Sequence, residues 1–211
     1  MLVHTHFTIR RDEMLFLVSI LFILLPPSYP LNILIPGGTG LIGAQLAAKL
    51  ASQNHKITIL ARNSFLSSSP NRVSRDFGWL GQRYLKTNPN IKLRDWDGGD
   101  LSDIVGSDWV GWQEDALRQA DVIINLTGGY TEQRCKATER LVRESLVHNR
   151  GAKFITLTIN ENELGMELKK ERASRCESLV TNNVATSTIL RGSVSNPQGA
   201  ILAILASINN K

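Results

Sequence analysis

Cysteine, histidine and tyrosine are scarce in this chain, at two, four and three among 211 residues. Cys135 and Cys176 stand forty-one positions apart, so the sequence holds neither a CxxC zinc pair nor a disulfide framework. The histidines are scattered without metal-ligand spacing, and no metal site is expected. Aromatic residues make up 6% of the chain, and Lys and Arg never run longer than two in a row. A basic face interleaved with stacking rings is therefore missing, which argues against a nucleic-acid partner. The net charge of +5 and pI near 9.4 fit a solvated surface or a cradle for a phosphorylated ligand instead.

Long apolar runs are also lacking. The longest, residues 14–25 (MLFLVSILFILL), is twelve positions long, follows Arg10 and Arg11 and ends at Pro26 and Pro27. A bilayer span needs about 20 residues, so this stretch has the length and flanks of a targeting segment. Residues 1–30 are thus read as an N-terminal extension with three open explanations. It is an organelle or secretory targeting segment, a short anchor giving membrane association through residues 14–25, or sequence upstream of a misplaced start. In the first case the location is an organelle or the secretory route, and otherwise the cytoplasm. A sequon, Asn125-Leu126-Thr127, falls inside an apolar strand pattern and is expected to be buried.

What is present, from residue 31 onward, is an alternation of short apolar runs with amphipathic stretches. Strands are predicted at 31–35, 56–61, 90–94, 121–126, 153–159 and 185–190, and helices at 41–52, 131–148 and 167–180. Shorter helices are expected within 75–86 and ending at 115–119, and residues 63–75, rich in Ser and Asn, are expected to be loop. The pattern predicts an α/β fold, a doubly wound parallel sheet of strand order 3-2-1-4-5-6. That unit spans residues 31–197, and 198–211 form a short apolar closing segment. With 211 residues, one such domain and an appendage is the natural division.

The strongest chemical signal lies where the first strand meets the first long helix. Gly37, Gly38, Thr39, Gly40, Leu41, Ile42 and Gly43 satisfy both GxGxxG and a wider GxxGxxG. Glycine is required at a tight turn, again where main chain approaches a pyrophosphate, and again where helix packs on strand. The helix N-terminus offers its free N–H groups and dipole to the phosphates. An NAD-preferring chain would carry a carboxylate at the end of the second strand. Here the residues are Ala61-Arg62-Asn63-Ser64, so Arg62 is assigned to a 2′-phosphate, with NADP favoured and NAD the alternative.

With these residues the chain resembles the extended and atypical short-chain dehydrogenase/reductases of the NAD(P)-dependent epimerase/dehydratase type. The glycine run is similar to that family's TGxxGxxG loop, with Pro36 in place of Thr. Trp96-Asp97, the stretch Val122 to Gly128, and Arg143-Glu144-Ser145 resemble its sugar-nucleotide-epimerase-like branch, and Arg191-Gly192 resembles an RPG lacking its proline. The resemblance covers about residues 31–197. It implies that Leu126, Thr127 and Gly128 lie beside the cofactor, that Lys170 holds a ribose hydroxyl, and that a small-molecule substrate is possible. The family often carries a catalytic Ser or Thr in the fifth strand, where Thr156 and Thr158 stand, but β-branched residues in a strand need no such role.

Two departures cut against chemistry. The family's Tyr-x-x-x-Lys pair is missing: Tyr29, Tyr84 and Tyr130 have no lysine four positions on, and Lys170 is preceded at that spacing by Met166. The sequence also ends soon after Pro197, where the family continues into a substrate-binding region. No catalytic residue is assigned, and the expectation is a degenerate oxidoreductase or epimerase site. The alternative is a non-catalytic dinucleotide-binding regulatory or assembly protein whose protein partner is unknown.

Overall fold

The computed structural model describes residues 29–73, 78–96, 98, 111–127, 131–193 and 195–209. The segment 14–25, Asp97, Gly128 and Tyr130 lie outside these residues.

Among the described residues the chain alternates strand and helix. β1 (Asn32–Pro36) leads through the glycine loop into α1 (Leu41–Ser52) and β2 (Lys56–Ala61). α2 (Ser64–Ser68) and α3 (Gln82–Thr87) precede β3 (Ile91–Asp95), and a π-helical turn (Gln113–Leu117) precedes β4 (Val122–Asn125). α4 (Glu132–His148), β5 (Lys153–Ile159), α5 (Glu161–Leu164), α6 (Glu167–Asn183), β6 (Ser187–Gly192) and α7 (Pro197–Asn209) complete it. The strands form one sheet in the order β3-β2-β1-β4-β5-β6, every neighbouring pair parallel. This is the predicted doubly wound arrangement, with the order reversing between β1 and β4.

Side-chain alternation along each strand sorts the core into two layers. Ile33 and Ile35 of β1, with Ile57 and Ile59 of β2, pack beneath Leu46, Ala47 and Leu50 of α1. Leu34, Leu60, Ile123 and Phe154 point the other way, toward Leu141 and Val142 of α4 and Val180 of α6. Trp96 and Trp112 meet edge to face in that second layer, ring centroids 5.7 Å apart. The apolar closing segment is α7, whose Ile201 and Ile204 are buried in the α1 layer. No described helix is long and apolar enough to cross a membrane.

Two local expectations need correction. Within the predicted loop 63–75, residues Ser64–Ser68 are helical because the Asn63 side chain accepts the Leu66 N–H at 2.8 Å, a helix N-cap. The helix expected within 75–86 is confined, among the described residues, to Gln82–Thr87, with Gly81 at φ +82° ahead of it.

Candidate functional site

The turn after β1 rests on glycine for reasons visible atom by atom. Gly37 has φ +76°, and a Cβ there would lie 2.8 Å from the carbonyl of Leu126 at the end of β4. A Cβ on Gly38 would press on the side chains of Ile35 and Ile59 at 2.9 and 3.0 Å, and one on Gly43 would overlap the backbone of Gly38. Gly40 is the α1 N-cap and supplies no side-chain cap, and a Cβ there would meet only the Gly37 carbonyl oxygen, at 3.9 Å. The first-turn N–H groups of Leu41, Ile42 and Gly43 have no intrahelical acceptor, and no acidic residue stands in that turn.

Thr39 is covered by a strap. The Gly78 backbone lies so close that a Cβ there would overlap the Thr39 hydroxyl. Ser67 holds the strap: its hydroxyl donates to the Gly78 carbonyl at 2.8 Å, and its carbonyl accepts from Leu80 and Gly81.

Two hollows open on either side of this loop, at the carboxyl ends of the strands. One, of about 420 Å³, runs past the ends of β2 and β3 and is lined by Arg62, Asn63, Trp96 and Gly98 among others. The second, about 350 Å³ and mostly apolar, is walled by Leu157, Ile159 and Gly192 together with Pro197 and Ala200 of α7. Gly37, Gly40, Leu126, Thr127 and Arg134 line both, so the hollows join at the glycine loop. Arg62 is exposed on the wall of the first, its stem approached by Gly98 at φ +60°. No carboxylate lines either hollow among the described residues.

A carboxylate from the neighbouring strand stands nearby. Asp95, ending β3, accepts from the Ser64 N–H at 2.6 Å and the Ser64 hydroxyl at 2.9 Å. It fixes the turn that follows Arg62 and is absent from the lining.

The far side of the waist is set by a buried polar network. Asn125, 1% exposed, donates to Thr138 at 3.2 Å and accepts from both the N–H and the hydroxyl of Thr127. These bonds hold the Leu126–Thr127 main chain against Gly37, and they bury the sequon asparagine as expected.

These features coincide with a family pattern. The model of the NAD dependent epimerase/dehydratase family matches residues 33–148, more than half of the chain. The chain belongs to that family. No curated protein matches it. Among solved structures it is similar to the Bordetella bronchiseptica enzyme WbmH in complex with NAD+, at 14% identity and TM-score 0.54 over 78% of this chain and 57% of that one. WbmG of the same organism, in complex with NAD and UDP, gives 13% identity and TM-score 0.53, covering 80% of this chain and 55% of that one. BdcA from E. coli gives 13% and 0.52, covering 84% and 92%. These likenesses show the fold, and the chain spans a little over half the length of the two Bordetella enzymes.

Of the sequence-assigned residues, the structure gathers Gly37, Thr39, Gly40, Leu41, Ile42, Gly43, Arg62, Leu126 and Thr127 around the two hollows, with Gly38 packed beneath the loop. Lys170 lines neither. It lies in the first turn of α6 with Nζ 3.6 Å from Glu167, and Met166 before it is exposed. The Thr158 hydroxyl donates to Glu177 at 2.7 Å, and Arg191 grips the same carboxylate at 2.7 Å. Thr156 is buried with a hydroxyl that finds no partner among the described residues. Tyr84 is turned away from the cleft: its hydroxyl donates to the Ala44 carbonyl at 2.5 Å, and burial pushes its pKa up to about 12.

Sequence reasoning missed Ser67, Asp95, Thr138 and Arg134. Only Arg134 left a signal, a cation one turn into the helix that follows β4 at the carboxyl edge of the sheet.

Proposed function

We propose that the chain binds a nicotinamide dinucleotide across the joined hollows and prefers NADP to NAD. The observation that carries this is Arg62 on the wall beyond β2 in a cleft free of carboxylates among its described lining residues. A guanidinium there pairs with a 2′-phosphate by charge-assisted, two-pronged hydrogen bonds, whereas the carboxylate that an NAD-preferring wall would offer the ribose hydroxyl is missing among the described lining residues. Support for the dinucleotide itself comes from the family, the glycine loop and the open N-terminus of α1. The adenosine half takes the 420 Å³ hollow, and the nicotinamide half takes the apolar one, where a small-molecule substrate of the sugar-nucleotide-epimerase-like kind would meet it.

A second reading, a dinucleotide held as a structural or sensing ligand, is favoured by one observation. Neither tyrosine nor lysine lines the cleft among the described residues. Titration of the purified chain tests the first reading. NADPH is expected to bind more tightly than NADH by roughly 1–3 kcal/mol, and Arg62→Asp to reverse the order by placing a carboxylate beside the 2′-phosphate. Equal affinity of the wild type for both cofactors would remove the NADP assignment.

A further inference from the structure

The two hollows share five lining residues, and one of these, Arg134, is charged. A dinucleotide has the same plan: two nucleoside halves joined by a pyrophosphate that must cross the narrow point between them. The waist supplies N–H groups from α1, but the run Pro36–Gly43 contains no basic residue. Two phosphate charges would therefore meet only partial charges there, unless a cation reaches the waist from another element.

From the geometry we infer that Arg134 is that cation, a binding residue that clamps the pyrophosphate from the α4 side, opposite the glycine loop. Its position is built in. Thr131 caps α4 by accepting the Arg134 N–H on its hydroxyl at 3.3 Å, which sets where the helix starts and where the third residue points. Asn125 and Thr138 anchor Thr127, so the strand end and the helix start hold a fixed relation across the waist. Arg134 is exposed on the wall of both hollows, where its fork can take two phosphate oxygens at once. Arg62 lines only the first hollow and Arg134 lines both, so the 2′-phosphate and the pyrophosphate would meet separate cations.

This inference rests on the dinucleotide reading, and titrations with three ligands separate the two. NADPH carries both phosphate groups, NADH only the pyrophosphate, and adenosine 2′-monophosphate only the 2′-phosphate. Arg134→Gln in the full chain is expected to weaken NADPH and NADH by the same factor, about 10- to 100-fold, and to leave adenosine 2′-monophosphate unchanged. Arg62→Ala is expected to weaken NADPH and adenosine 2′-monophosphate and to spare NADH. Arg134→Lys, keeping the charge without the fork, is expected to recover part of the loss. An unchanged circular dichroism spectrum and melting temperature are required of each variant, with Arg134→Lys the fallback should Arg134→Gln misfold. Wild-type affinity for both dinucleotides in Arg134→Gln would overturn the clamp alone, as would an equal loss for all three ligands. Binding of neither dinucleotide by the wild type would overturn the dinucleotide reading and the clamp with it.

Discussion

At the residue scale the glycines divide into those where the fold has no room for a Cβ and Gly40, where a Cβ would fit. Gly43→Ala would drive a methyl into the Gly38 backbone, which has no flexible end to yield. We expect it to destabilise the chain by about 1–3 kcal/mol in denaturant unfolding. Gly40 has φ −82° and its nearest neighbour for a Cβ at 3.9 Å, so Gly40→Ala is expected to cost only what alanine loses to glycine at an N-cap, about 0.5–1 kcal/mol. If phosphates approach the loop there, the same methyl lowers dinucleotide affinity tenfold or more; a Gly40→Ala protein that binds like the wild type places the phosphates elsewhere. The glycine spacing was legible because glycine announces a backbone requirement by its identity. Ser67, Asp95 and Thr138 announce nothing, since each acts through a partner brought near only by the sheet: Asp95 meets Ser64 because β3 lies parallel beside β2. Cys176 behaves as expected of a packed thiol, buried and pushed up to about 12 mainly by that burial.

At the element scale, strands and long helices follow from apolar periodicity, and their predicted bounds differ from the observed ones by three residues or fewer. The sheet order was legible because six such runs separated by crossovers leave few topologies open. α2 was not, because a Ser- and Asn-rich stretch has loop composition until Asn63 turns inward as a cap. The junction between α1 and β2 yields a pH prediction. Asn54 turns the chain at φ +66°, and His55, 7% exposed, accepts the Leu31 N–H on Nδ1 at 3.1 Å, tying the starts of β1 and β2 together. Burial lowers the His55 pKa below its ordinary 6.5, so the folded chain holds fewer protons than the unfolded chain once the pH drops beneath that value. Its contribution is therefore complete above about pH 6.5 and is lost as the pH falls from there through the folded pKa. Urea unfolding between pH 7.5 and 5 should show stability falling with acidity, and His55→Gln should flatten that slope. An unchanged slope would assign the pH dependence to other groups.

At the scale of the whole molecule, the doubly wound sheet brings every strand's carboxyl end to one edge, and function depends on which side chains arrive there. Among the described residues the apolar hollow is faced by Thr158, whose hydroxyl is committed to a carboxylate that Arg191 already neutralises. Lys170 sits on the helix surface beside Glu167. General acid–base assistance is typically worth about 10²- to 10⁴-fold, and neither tyrosine nor lysine lines the cleft among the described residues, so on the degenerate-site reading a bound dinucleotide is expected to transfer hydride slowly. The residue able to change that outcome is Tyr130, which follows β4 and stands four positions before Arg134. The decisive measurement is NADPH oxidation by the full chain over a panel of carbonyl and sugar-nucleotide substrates, repeated with Tyr130→Phe and Lys170→Ala. Cofactor binding with turnover at background level across the panel is the expected result. Robust turnover abolished by Tyr130→Phe would replace the degenerate-site reading with an enzyme that works through the Tyr130 phenol, and loss in Lys170→Ala would restore the ribose role that the resemblance implied.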